Sequence, residues 1–237
     1  MIIFLGDSFT WGQGLCFERW IVEENKTIEY CNSFIPPLAN KHQERLSYED
    51  DLYRKTNHFP ALVAKHFNKS YTTQFGNGGA NHNIRDIIKN INIQFGSNTR
   101  CAIEAFVIQL TDCGRSMNPT GPIVDDIEVE IKKQISEIKE EITFISKSIP
   151  WYVFSWRKDM GNILQKDYVN NFIPLVYNDT IYNNFHHILR TDPTFGLDKK
   201  YKGMIDSHFS IDGHQFIAKN IINKIQTSNK LKISKNY

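Results

Sequence analysis

Two short stretches near opposite ends of the 237-residue sequence hold residue types that together can attack a carbonyl and move a proton. The first is Gly6-Asp7-Ser8-Phe9-Thr10, directly after the apolar run at 2–5. A serine at a strand-to-helix turn presents its hydroxyl at the carboxyl edge of a parallel sheet, where open α/β folds place ligands. Its backbone N–H, close to a helix N-terminus, can also help hold an oxyanion. The same serine would serve equally well as a helix cap. The second stretch is Asp206-Ser207-His208-Phe209-Ser210-Ile211-Asp212-Gly213-His214. A serine hydroxyl needs a base, and a carboxylate two residues before His208 can orient the imidazole so that its other nitrogen takes the proton. Of the eight histidines, His42, His58 and His66 lie in polar or amphipathic stretches and read as surface residues. His82 adjoins a glycine loop, and His186 and His187 fall in a region without a clear pattern. That leaves His208 and His214, either of which could instead cap or pack against the last helix.

The elements that must position these residues alternate between strand and helix, the pattern of a parallel sheet covered on both faces. Continuous apolar runs at 2–5 and 105–110 predict buried parallel strands. Further strands are expected at 71–75 and 151–155, with another somewhere in 157–205. Helices are expected at 59–67, with Pro60 in the first turn, and at 81–93. The clearest helix spans 125–149, where isoleucines recur in steps of three and four until Pro150. A last helix is expected at 211–226, followed by a polar, basic tail at 227–237 that reads as frayed. Residues 11–55 and 157–205 show no clean periodicity. The second holds Tyr168, Phe172, Tyr177, Tyr182, Phe185 and Phe195, either an aromatic cover for a cleft or extra helices packed on the edge. The expectation is α/β, one domain over 1–237: a three-layer α/β/α sandwich with a flavodoxin-like central parallel sheet of about five strands.

Here the sequence resembles a known family. Gly6-Asp7-Ser8, and Asp206-x-His208 followed by Ser210, Gly213, His214 and Ala218, look like the first and last blocks of the SGNH (GDSL) hydrolases. The resemblance implies Ser8 as nucleophile, His208 as base and Asp206 as its orienting carboxylate, with no cofactor or metal. Asp206 stands two residues before the histidine, where the commonest family pattern has three. Gly76-Asn77-Gly78-Gly79-Ala80-Asn81 falls where the family has its oxyanion glycine; Gly78 fits a GxxNxxI version of that block, with Gly79 close behind. Either could instead be a turn that requires glycine. The family's third block reads GxND, but this chain has Thr111-Asp112-Cys113-Gly114-Arg115 at the corresponding place. The oxyanion asparagine is absent there. Asn81 is the nearest side-chain amide that could replace it, or it caps the helix that follows. Arg115 could bind an anionic substrate.

Composition narrows the classes. Lys and Arg total 28 against 26 Asp and Glu, a net charge of +2, which gives no support to nucleic-acid binding driven by bulk charge. No apolar stretch approaches the roughly 20 residues of a spanning helix. Only residues 2–5 are apolar before Gly6, unlike a secretory signal, so a cytoplasmic location is the default expectation. Cys16, Cys31, Cys101 and Cys113 form no CxxC pair and read as free thiols. Three functions remain: a serine esterase of a small-molecule or carbohydrate ester, an O-acyltransferase using the same residues, or a non-catalytic carbohydrate-binding relative. A metal phosphoesterase built from Asp7, Asp112, His82 and His208 lacks the GDxHG- and GNHE-like strings such sites carry.

Overall fold

The computed structural model of the protein describes residues 1–34, 46–75, 84–91, 103–110, 127–145 and 148–233. Four parallel strands form the central sheet in the order β2-β1-β3-β4: β1 (Ile2–Gly6), β2 (Tyr71–Phe75), β3 (Ala105–Leu110) and β4 (Trp151–Ser155). All residues of β1 and β3 are buried, as expected of strands covered on both faces. β2 is more polar and lies at the edge, where one ladder of hydrogen bonds suffices.

Alternation along the strands sorts the core into two halves. Ile3, Leu5, Phe106, Ile108 and Val153 face one side, with a helix at 84–91 (α6), α7 (Ile127–Ile145) and α8 (Lys158–Asp167). Ile2, Phe4, Val107, Tyr152 and Phe154 face the other, with α5 (Phe59–Phe67), α9 (Phe185–Thr191) and α11 (Ile211–Ile233). Helices therefore flank a parallel sheet on both faces, the layering of an α/β/α sandwich. α7 buries Ile131, Ile135, Ile138 and Ile142 along one stripe. α11 does not stop at 226 but continues to Ile233.

Among the described residues the sheet has four strands rather than five. The strand expected in 157–205 shrinks to one parallel bridge, Val153 to Phe172, with Val153 N–H donating to Asn171 O and Ile173 N–H to Val153 O. The chain then leaves the sheet, because Leu175 enters a separate antiparallel hairpin of β5 (Leu175–Tyr177) and β6 (Thr180–Tyr182). Phe172 and Phe185 of this region are buried in the two core halves rather than lining a cover.

Residues without periodicity in the N-terminal third form α1 (Ser8–Trp11), α2 (Leu15–Val22), α3 (Ile28–Ser33) and α4 (Tyr48–Asn57). α4 opens with a capping box between Ser47 and Asp50. Asp50 Oδ1 also accepts from Arg19 Nε (2.7 Å) and Trp20 Nε1 (2.8 Å), which ties α4 to α2. Cys16, Phe17, Trp20 and Cys31 then bury with Met204 and Leu197 of α10 (Leu197–Lys200) in a third cluster. Cys16 and Cys31 are free, buried thiols.

His58 is not on the surface. It is 1% exposed, and its ring contacts Trp11 O and the Tyr71 hydroxyl. His214 on α11 is fully buried, and its Nδ1 accepts from Phe59 N–H at 3.2 Å, joining α11 to α5. Burial, with lesser repulsion from Arg54, pushes His58 down to about 3. Burial, with repulsion from His58 and His208, holds His214 well below its ordinary value. Both rings stay neutral in the folded chain but regain ordinary basicity on unfolding, so the unfolded state binds more protons below pH 6.5. Their contribution to stability is present at neutral pH and falls as pH drops. By linkage His58 costs about 2 kcal/mol at pH 5 relative to pH 7.5, and His214 adds a loss of the same sign. Urea unfolding at the two pH values should show this loss, and His58→Gln should remove about 2 kcal/mol of it. An unchanged difference in that variant would contradict a neutral buried His58.

Candidate active site

The turn after β1 is built from small and polar residues that fold onto the neighbouring strand. Asp7 is the N-cap of α1, and its Oδ1 accepts from Phe9 N–H (3.0 Å). The same oxygen accepts from Gln109 Nε2 (2.6 Å), and Gln109 Oε1 accepts from Thr10 Oγ1 (2.6 Å). Gln109 and Thr10 are fully buried and Asp7 nearly so. This network pins the turn to β3 and leaves Ser8 at the first helical position. At the other end of α1, Arg54 Nη1 donates to Trp11 O (2.7 Å), with the guanidinium 4.1 Å from the Trp11 ring centroid. No acceptor among the described residues bonds the Ser8 N–H.

Sequence reasoning placed Asp206, His208 and Ser8 together, and their geometry is continuous. Asp206 Oδ1 accepts from His208 N–H (2.8 Å) and from His208 Nδ1 (2.6 Å). A carboxylate bonding the backbone two residues ahead is an Asx-type turn, which explains how a spacing of two suffices. With Nδ1 donating, Nε2 is left as an acceptor, and Ser8 Oγ lies 2.7 Å from it. Asp206 is 4% exposed, which keeps water from competing for the pair. The His208 ring packs on Phe9 (4.5 Å between centroids), and Phe9 packs on Trp156, Phe185 and Phe209. His214 does not approach Ser8, because its Nδ1 is engaged by Phe59.

Three further residues hold this arrangement, and sequence reasoning did not single them out. Gln109 was visible only as a polar residue inside an apolar strand. Glu18, three residues after Leu15 on the buried face of α2, is 1% exposed. Its Oε2 accepts from Ile211 N–H (2.7 Å) at the start of α11, and its Oε1 from Lys200 Nζ (2.6 Å) and Tyr201 OH (3.1 Å). Against the desolvation that opposes charge, the bonds to Asp212 and Glu18 hold the Lys200 ammonium above its ordinary value. Gly14 adopts φ +94, and a Cβ there would come 2.5 Å from Leu197 Cδ1 and 3.2 Å from His208 Cβ. Ser210 Oγ donates to Thr194 O and accepts from Gly213 N–H, which fixes the chain between His208 and α11. Gly78, Asn81 and Arg115, the expected oxyanion and substrate contacts, lie outside the described residues, as do Gly79, His82 and Asp112.

The arrangement can take a proton from a hydroxyl at Nε2 while Asp206 stabilises the resulting imidazolium. No family model matches the chain, and no curated protein matches it. A solved structure described as a carbohydrate esterase, with divergent catalytic and non-catalytic binding functions at its active site, aligns with 95% of this chain at 16% identity and a TM-score of 0.48. The alignment takes in 64% of that esterase's own chain.

The close fit of the Ser8 turn against β3 is testable at Gly6. A Cβ there would meet Thr10 Oγ1 at 2.1 Å and Gln109 Cβ at 3.0 Å. Gly6→Ala should lose roughly 1–3 kcal/mol in urea unfolding. Adding Thr10→Ala should not restore the parent stability, because Thr10 Cβ stays 2.9 Å from the new Cβ and Gln109 Oε1 loses its donor. A Gly6→Ala protein as stable as the parent would mean the turn is not packed as described.

Proposed function

We propose that the protein is a serine-dependent ester hydrolase of the SGNH type, acting on an acyl ester such as an acetylated carbohydrate. The observation that carries this reading is the unbroken chain Asp206 Oδ1–His208 Nδ1 (2.6 Å) and His208 Nε2–Ser8 Oγ (2.7 Å). In this mechanism Ser8 Oγ attacks the ester carbonyl as its proton passes to His208 Nε2. Asp206 holds the imidazolium and keeps the ring in register. The tetrahedral oxyanion is held by the N–H groups of Ser8 and Gly78 and by the Asn81 side chain. His208 then protonates the departing alcohol, leaving an acyl-Ser8. Water, deprotonated by His208, cleaves that ester and restores the serine. A sugar hydroxyl bound in place of water would turn the same steps into acyl transfer, so exclusion of water decides between hydrolase and transferase.

The test is hydrolysis of p-nitrophenyl acetate and butyrate by the parent and by Ser8→Ala. The parent should turn over at least the acetate, and Ser8→Ala should fall to near the uncatalysed rate. Asp206→Asn should lower kcat by about 1,000-fold or more. Asn81→Ala should lower kcat by roughly 100-fold with little change in KM, whereas an effect of Arg115→Ala confined to KM would mark Arg115 as a substrate contact. Equal rates for the parent and Ser8→Ala would refute the serine mechanism.

A further inference from the structure

A second feature opens at the same edge of the sheet. Because the four strands are parallel, their carboxyl ends share one edge, and Trp156 follows β4 there, its N–H donating to Leu110 O at the end of β3. Beyond Trp156 lies a cleft of about 810 Å³ between the start of α8 and α9. That is within the range of pockets that bury small molecules. Arg157, Lys158, His186, His187 and Arg190 line it, with Asp159 at 3.4 Å from Arg157 as the one carboxylate among its described lining residues.

Among the described lining residues, three permanent cations stand against one carboxylate, in a chain whose whole net charge is +2. Among the described residues no carboxylate lies within ion-pair distance of Lys158 or Arg190. α8 begins at the cleft; its N-cap residue, Arg157, supplies no side-chain acceptor, and Asp159 Oδ1 in the first turn accepts from Met160 N–H (2.9 Å) and offsets part of the helix dipole. Burial, then repulsion from Arg190 and Arg157, holds the His186 imidazole below its ordinary value. Packed rings lie between the cleft and the residues around Ser8. Trp156 packs 4.7 Å from both His186 and Phe9, and Phe9 packs 4.5 Å from His208. One aromatic residue therefore separates the cleft wall from the histidine next to Ser8.

We propose that this cleft is an anion subsite that receives a carboxylate or phosphate carried by the substrate, while the ester lies at Ser8. It rests on the esterase reading for its link to catalysis. Guanidinium groups suit such an oxyanion because they can bond it in bidentate fashion. The partly exposed Trp156 and the exposed Asn162 and Thr191 add an aromatic edge and polar groups to the cleft wall. The neutral bulk charge argues for a local site rather than for general attraction of polyanions.

The test is calorimetric titration of Ser8→Ala protein with glucose 6-phosphate, glucuronate and glucose. At least one of the two anions should bind about ten-fold or more tightly than glucose, a difference that one charge-assisted contact supplies. Which anion wins identifies phosphate or carboxylate as the natural group. Arg190→Gln, at an exposed position, should reduce the preference, and Arg157→Gln with Arg190→Gln should abolish it, with melting temperatures recorded for each variant. Equal binding of all three sugars, no binding of any, or a preference that survives the double substitution would overturn the subsite. Because binding is read without turnover, a parent protein that fails to hydrolyse p-nitrophenyl acetate would sink the esterase reading and leave this test intact.

Discussion

The double acceptance at Asp206 Oδ1 is the constraint on which the site depends. One oxygen takes both the backbone N–H and the ring Nδ1 of His208, so the position of the residue and the orientation of its ring are fixed together. That bond also selects the tautomer, and the tautomer leaves Nε2 free to accept from Ser8. Without it, the histidine could rotate on its own χ angles and Nε2 would not be held at Ser8 Oγ. The arrangement is anchored from behind by Gly14, whose lack of a Cβ lets the α1–α2 turn lie against Leu197 and His208.

Around this bond the fold uses buried carboxylates as joints. Asp7 joins the Ser8 turn to β3 through Gln109, Asp50 joins α4 to α2, and Glu18 joins α2 to α10 and the first turn of α11. Each is at most 4% exposed and each is bonded by two or more donors. Buried charge is tolerated only when so satisfied, and removing one partner typically costs several kcal/mol. The joints bring together residues that lie 200 positions apart in the chain. Ser8 comes from the turn after the first strand, His208 from the segment before the last helix, and Glu18 ties the elements that follow each of them.

Much of this was legible in the sequence. Strands buried on both faces betray themselves as continuous apolar runs, and α7 as a stripe of isoleucines. Gly6-Asp7-Ser8 and Asp206-x-His208 carried the site because their chemistry depends on local spacing. The joints were not legible, because a buried Glu18 or Gln109 differs from an exposed one only through partners distant in sequence. The surface reading of His58 fails for the same reason: Lys55-Thr56-Asn57 before it are polar, but Trp11 and Tyr71 contact its ring. α2, α3 and α4 are short and lack a long apolar stripe, and packing against one another and α10 gives them what periodicity did not announce. The fifth strand was expected from the general pattern, whereas the chain after Phe172 pairs with itself instead.

The central claim is that His208 activates Ser8 for covalent attack. Its most direct measurement is treatment of the folded protein with a fluorophosphonate probe, followed by intact-mass and peptide mass spectrometry. The account predicts one adduct, located on Ser8, absent from Ser8→Ala and strongly slowed in His208→Ala. A folded protein that forms no adduct at Ser8, or one that labels Ser8 equally fast without His208, would contradict it.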